Sequence, residues 1–413
     1  MNYRHSDKDF TRDKTLSFPV TLLIISNFIR KSLSLEIVDF VNVFNKISIT
    51  KLKNFTKSAF VQRRNKIKPE VFKYLSSVLI KEFYTDNDLS IKLWNGFRLL
   101  AVDGSRINLP DTKELEEIYG RTKNQAGGIV QARTSILYDL LNKFVLDSEL
   151  APLSVGENVL ALEHLNHTQK DDLVIYDRGY PSFELVYHHT KREIDFLIRV
   201  KTTFNNVVKE FVKSKKKSQI VFIKPGKNIS FKEKEYKKDD SIKVRLIAVK
   251  LNDGNVEILM TSLLDSKKYS NKIFKELYFK RWGIETFYDE FKNKLKVEYF
   301  SGYSNNTIRQ DFNVAIFVSN IQSLVVNDLE QEIQEKTKNR KLEYKVNANL
   351  SYGFLKNRII SLLIEDKDMV VELKELFSKH LVPIRPNRKN KREYGKYRSK
   401  TKPKTYTNRK DAL

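Results

Sequence analysis

Two aspartates and a glutamate stand where carboxylates can serve chemistry rather than solubility. Asp103 closes the apolar run at residues 98–102 (RLLAV), and Asp177 closes the run at 173–176 (LVIY). Both read as strand ends, the places where ligand sites form in open α/β sheets. Glu285 lies in a stretch that reads as helix from Tyr278 through Lys292. At ~100° per residue, Tyr278, Arg281, Glu285 and Lys292 fall within about 60° of one another, while Ile284, Phe287 and Phe291 make a separate apolar face. Trp282 borders the charged face. Carboxylate oxygens are the ligands a hard cation such as Mg²⁺ takes. Two such ions ~4 Å apart can stabilise both the attacking and the leaving oxygen of an in-line displacement at phosphorus. Singly, each residue has a plainer reading, as a turn or helix cap or as part of a solvated charge stripe. Together they predict a site where Asp103, Asp177 and Glu285 converge across separations of 74 and 108 residues.

The elements that must position them can be read coarsely. Residues 132–138 (ARTSILY) and 144–150 (FVLDSEL) alternate like strands; a helical stretch follows at 158–167, then the strand that ends on Asp177. The order is strand, strand, strand, helix, strand, with two strands ending on Asp. Residues 196–264 read as further strands separated by Lys-rich loops. Long helices are expected at 270–296, 307–332 and 352–364. Upstream, residues 57–84 read as two helices joined at Ile67-Lys68-Pro69, since proline suits a first helical position. Ala59, Phe60, Val71, Phe72, Leu75 and Leu79 would face inward, and Gln62, Arg63, Arg64, Lys66 and Lys68 outward. That basic face is either solvated or a helix-turn-helix-like DNA contact.

The spacing Tyr278-(2)-Arg281-(3)-Glu285-(6)-Lys292 resembles the Tyr-Arg-Glu-Lys signature of the insertion sequence four group of bacterial transposases, and so does the text VDGSRINLPD, YDRGY and MTSLL around it. The resemblance spans roughly residues 99–303. It implies an α/β fold with an RNase H-like catalytic core, Asp103, Asp177 and Glu285 as catalytic metal ligands, and Mg²⁺ as cofactor, with Mn²⁺ able to substitute. It also implies that Tyr278, Arg281 and Lys292 contact phosphates near a cleaved end, and that Trp282 stacks on a flipped base. The activity so implied is cleavage at transposon ends and strand transfer into target DNA, through a hairpin in some members. The partners are double-stranded DNA, as terminal inverted repeats and target, and a second copy of the chain in a synaptic dimer. A nuclease without strand transfer and a non-catalytic DNA-binding derivative are the alternatives.

The domain expectation is a helical N-terminal DNA-binding domain at 1–95, a core at 96–200, a β-rich insertion at 201–265 and the helical part of the core at 266–335. A C-terminal helical region follows at 336–384, then a basic tail at 385–413. The tail carries twelve Lys or Arg, with tyrosines between them and little to bury, and reads as disordered until an anion binds it. The whole chain has a formal net charge of +25, which asks for a polyanionic partner. With no Cys, disulfides, zinc–thiolate sites and thiol catalysis are excluded. No P-loop motif is present, so no nucleotide cofactor is expected. The apolar run at 20–29 (VTLLIISNFI) is too short to span a bilayer and reads as a core helix of a cytoplasmic, nucleoid-associated protein with no membrane partner. Glu163, His164 and His167 share a helix face but lack the further partners of a metal site.

Overall fold

The computed structural model describes residues 2–12, 15–86, 90–124, 127–226, 230–251, 254–364 and 367–385. Four helices open the chain: α1 (Phe18–Ser26), α2 (Leu33–Ile47), α3 (Lys57–Arg64) and α4 (Glu70–Asp86). The apolar run at 20–29 supplies α1. Ser17 caps that helix, its hydroxyl accepting from the Val20 N–H, with Pro19 in the first turn. Then come β1 (Arg98–Asn108), α5 (Lys113–Tyr119), β2 (Arg121–Asn124), β3 (Gly127–Asp139), β4 (Val145–Ala151), α6 (Glu157–His164) and β5 (Asp172–Tyr176). They are followed by α7 (Phe183–Lys191), β6 (Asp195–Val200), α8 (Asn206–Lys213), β7 (Ser218–Ile223), β8 (Ile242–Lys250) and β9 (Val256–Thr261). The chain continues with α9 (Ile273–Phe279), α10 (Trp282–Asn293), α11 (Asn305–Thr337) and β10 (Tyr344–Val346). It closes with α12 (Ala348–Leu355), α13 (Arg358–Leu363), α14 (Lys367–Lys379) and β11 (Leu381–Pro383).

Among the described residues one nine-stranded sheet runs β2-β3-β1-β5-β6-β9-β8-β7, with β4 also pairing with β3. The β1, β3 and β4 neighbours are antiparallel, whereas β1, β5 and β6 are parallel. Every residue of β5 is buried, its apolar run at 173–176 being what a central parallel strand needs. The segment 201–265 is built as an extension of this sheet, because β9 pairs antiparallel with β6 and β8 with β9.

Helix α11, 33 residues long, is the spine on which the rest is packed. It meets α1, α4, α12, α14, β4 and β10. Its length and composition would suit a bilayer crossing, but 78% of its most apolar window is buried within the protein.

Four expectations are corrected. The helix expected at 352–364 is two, α12 and α13, broken where Asn357 takes a φ of 68°. Strand β1 does not stop at Asp103: it continues to Asn108 because β3 pairs with it from Leu100↔Asp139 to Asn108↔Gln131. The single helix expected at 270–296 is two, α9 and α10, joined at Lys280-Arg281. There the Gly283 N–H bonds to the Lys280 carbonyl and the Ile284 N–H to that of Arg281, an i→i−3 tightening. Arg64 does not face outward. It is 2% exposed, with Nε on Gln310 (2.9 Å), one terminal nitrogen on the Ser301 hydroxyl (2.5 Å) and the other on Asp311 (3.0 Å). It ties α3 to α11 and is withdrawn from any DNA-facing surface. The basic tail, apart from Arg385, lies outside the described residues.

Candidate active site

The parallel ladder between β1 and β5 runs from Arg98↔Asp172 to Val102↔Tyr176. Asp103 and Asp177 are the next residue on each strand, so both leave the ladder at the same edge, on neighbouring strands ~4.8 Å apart. Asp103 stays in register with β3, opposite Ile136. Its Oδ1 accepts from the Gly104 N–H (2.9 Å), and its carbonyl accepts from the Tyr288 hydroxyl (2.9 Å). Asp177 has left the strand. Its Oδ1 accepts from the Tyr278 hydroxyl (3.1 Å), which reaches it from α9.

Arg281, at the α9–α10 joint, ties the pieces together. It is 5% exposed. One terminal nitrogen lies 2.6 Å from Glu285 and the other 4.0 Å from Asp103. Its guanidinium carbon is 5.8 Å from the ring centres of both Tyr278 and Trp282, and its Nε is buried without a hydrogen-bond partner among the described residues. Burial opposes its charge, but Tyr278, Glu285 and Asp177 keep the cation favoured.

The electrostatics match this crowding. Burial, with the charges of Glu285 and Asp177, pushes the Asp103 carboxyl up to about 6, against the pull of the Gly104 N–H and Arg281. Burial likewise holds the Tyr278 phenol above its ordinary range. Lys292 donates to the Ser105 hydroxyl (2.6 Å) and the Arg106 carbonyl (2.7 Å), bracing α10 against β1. Burial lowers its pKa, and Glu298 opposes that. Trp282 is 52% exposed, and Ile284, Phe287 and Phe291 are buried as the periodicity predicts.

A family model described as the transposase DDE domain matches residues 94–321, which span the sheet, both aspartates and α10. The chain belongs to the DDE transposase family. A curated relative, the transposase InsG for insertion sequence element IS4 of Escherichia coli, is 24% identical over 207 residues. That match takes in 49% of this chain and 46% of the relative, so it spans about half the length of each. A structure of the piggyBac transposase synaptic complex with hairpin DNA overlaps with a TM-score of 0.39 at 10% identity, over 90% of this chain and 87% of that one. One of the Mos1 transposase paired-end complex overlaps with a TM-score of 0.17 at 12% identity, over 46% and 61%. At these scores neither overlap bears on the chemistry.

In this DDE transposase-family chain the donor chemistry suits a divalent cation, since Asp103, Asp177 and Glu285 offer carboxylate oxygens only. Their spacing does not yet suit one. Among the described residues no group of three His, Cys, Asp or Glu side chains stands close enough to hold a metal ion. Arg281 reaches towards both Asp103 and Glu285 and supplies positive charge there.

Sequence reasoning missed two tyrosines at this site. Tyr288, which holds the Asp103 carbonyl, lies three residues after Glu285, within reach on one helix face. The Tyr180 hydroxyl is buried without a partner among the described residues, and the charges of Asp103, Glu157 and Asp177 help burial to raise its pKa. His164 is a core residue, its ring nitrogens 2.7 Å from Asp147 and 2.9 Å from the Ser135 hydroxyl. Asp172 begins β5 and pairs with Arg98 through two 2.7 Å hydrogen bonds.

Proposed function

We propose that the protein is a DNA transposase that cleaves at transposon ends and transfers the freed strand into target DNA. What supports this most directly is the contact chain Asp177–Tyr278–Arg281–Glu285, with Asp103 beside Arg281, at one edge of the β1/β5 ladder. The strand order β4-β3-β1-β5-β6, antiparallel on one side of β1 and parallel on the other, supports reading the core as RNase H-like.

In this reading Asp103, Asp177 and Glu285 would hold Mg²⁺ once Arg281 gives up its place beside Asp103 and Glu285, and the ion would there polarise the scissile phosphate and lower the pKa of the attacking water. The remaining work falls to the chain's own groups. Tyr278 orients Asp177 through its hydroxyl. Lys292 fixes α10, and so Glu285, against β1, and its charge is available to a nearby phosphate. Arg281 exchanges its carboxylate partners for a DNA phosphate, which its planar fork matches equally well. Trp282 offers a half-exposed aromatic face at the site's border, suited to stacking on a displaced base if the second strand is cut through a hairpin. The ends are held by two copies of the chain. Helices α1–α4 and the basic tail add binding to DNA of any sequence through charge.

The test is incubation with the DNA flanking the gene, with and without Mg²⁺, using the wild-type chain and Asp177→Asn. The substitution removes a charge and scarcely changes shape. End cleavage that needs the metal and vanishes in Asp177→Asn, with end binding retained, is expected. Comparable loss of binding and cleavage would make Asp177 a structural residue and overturn the assignment.

A further inference from the structure

Helix α10 turns a second set of residues, among them Phe287 and Glu290, to a cavity of about 680 Å³ bounded also by α11, β10 and α12. The carboxylates of the candidate active site do not line it. The volume falls within the ~300–1,000 Å³ of small-molecule sites. Its lining changes character with depth. The deep wall holds the rings of Tyr138, Phe287 and Tyr352, which are 5%, 5% and 4% exposed. Neither tyrosine hydroxyl bonds to another side chain or backbone group among the described residues, and neither is among the protein's buried, unpartnered polar atoms, so both open onto the cavity, where an entering group can meet them. Glu290 shares this wall and has no ion pair within 4.0 Å among the described residues. Burial favours its neutral form, while Lys345 and Lys143 oppose that. The rim is exposed and carries more cations than anions, with Arg340, Lys341 and Lys345 standing around it and Glu343 among them.

Such a gradient fits a flat ring with hydrogen-bonding edges that carries an anion at one end. An acyl chain would strand the two phenols and the carboxyl, and a free anion would leave the aromatic wall uncovered. We propose that this cavity binds one unstacked nucleotide, its base inward against Tyr138, Phe287 and Tyr352 and its phosphate outward at Arg340, Lys341 and Lys345. The choice of a nucleotide over other ring-bearing anions rests on the reading of the protein as a DNA transposase. Base edges supply donors and acceptors to hydroxyl and carboxyl groups, and aromatic faces replace the lost stacking. No P-loop is needed, because the base and the rim together do the recognising.

The experiment uses the full chain without metal, so nothing is cleaved. One probe is 2-aminopurine deoxynucleoside monophosphate, and the other a single-stranded oligonucleotide with one 2-aminopurine; both lose fluorescence when the base stacks. Saturable quenching is expected. The double variant Tyr138→Phe, Tyr352→Phe removes only two hydroxyls and should weaken it roughly tenfold. Glu290→Gln should weaken it several-fold, and Arg340→Glu should weaken it and reduce its salt dependence. Quenching by the monophosphate alone assigns the cavity to free nucleotides, and quenching within the strand to an extruded unit of DNA; both support the site. Quenching within twofold of wild type in the tyrosine double variant, for both probes, overturns it. So does an effect confined to the rim variant, which would mean charge binding at the surface. A chain that cleaves DNA but whose quenching ignores the tyrosines sinks this inference and leaves the proposed function standing. Tyrosine-dependent quenching in a chain that never cleaves does the reverse.

Discussion

Two buried arginines hold this molecule together in opposite ways. Arg64 is fully answered: each of its three guanidinium nitrogens meets a partner, on Gln310, Ser301 and Asp311. Arg281 is nearly as buried but only partly answered, with Glu285 at 2.6 Å, Asp103 no nearer than 4.0 Å and an unpartnered Nε. The first is a structural clamp, whose satisfied network is low in energy because it has one arrangement. The second sits among like charges that repel one another and crowd a carboxyl out of its ordinary pKa range, as groups kept for chemistry often do. Burial alone does not tell them apart; the completeness of their hydrogen bonding does.

The largest effect that could break this contrast is on the clamp. Arg64→Ala leaves Asp311 without its cation and should destabilise the protein by about 3–5 kcal/mol in denaturant titration. The DNA cleaved per folded molecule should stay near wild type. A loss below 1 kcal/mol would place Arg64 in the same class as Arg281.

Next in size is Asp103→Asn. The folded-state pKa of about 6 lies above the ordinary carboxyl range, so the folded chain binds this proton more tightly than the unfolded one. Stability from this group is therefore full at low pH and lost as pH rises through that window. The variant should be more stable than wild type by about 1–3 kcal/mol above pH 6, with the difference shrinking towards pH 4, while cleavage is abolished. A pH-independent difference in melting temperature would refute the crowding.

Arg281→Gln has a smaller effect. Removing the competing cation should tighten Mn²⁺ binding to the DNA-free protein by about 1 kcal/mol, roughly fivefold, read by titration calorimetry. Unchanged or weaker binding would show that Arg281 helps to assemble the site rather than stand in for its cation. Smallest is Trp282→Ala. A half-exposed indole should contribute no more than ~0.5 kcal/mol to stability. First-strand nicking should persist while hairpin product falls, and a parallel loss of both would end the stacking role.

Much of the site was legible because its signals are local. Two apolar runs stopping on Asp and a helix face carrying Tyr278, Arg281, Glu285 and Lys292 need only periodicities of two and 3.6 to be read. What could not be read depends on distant partners. Nothing around Arg64 announces Gln310 or Asp311, so an amphipathic reading sends it to solvent. The continuation of β1 past Asp103 depends on β3, and without that partner Gly104-Ser105 looks like a turn. The tight joint at Lys280-Arg281 is invisible too, since both residues keep right-handed helical angles and only the bonding step changes. The cavity behind α10 draws its walls from five parts of the chain, and no single segment advertises it.

The spine helix also sets a timetable for synthesis. Helices α1–α4 are complete by Asp86, yet α11, against which α1 and α4 pack, begins only at Asn305, about 220 residues later. At ~5–20 residues per second the ribosome takes roughly 10–45 s to cover that distance. Through that interval Phe60, Val71 and Phe72 have no spine to cover them, and Arg64 has none of its three partners. The same wait applies to catalysis, because Glu285 emerges within the last stretch made before α11. The nascent chain therefore carries an unfinished core and an unfinished site together, and both wait for the last third of the chain.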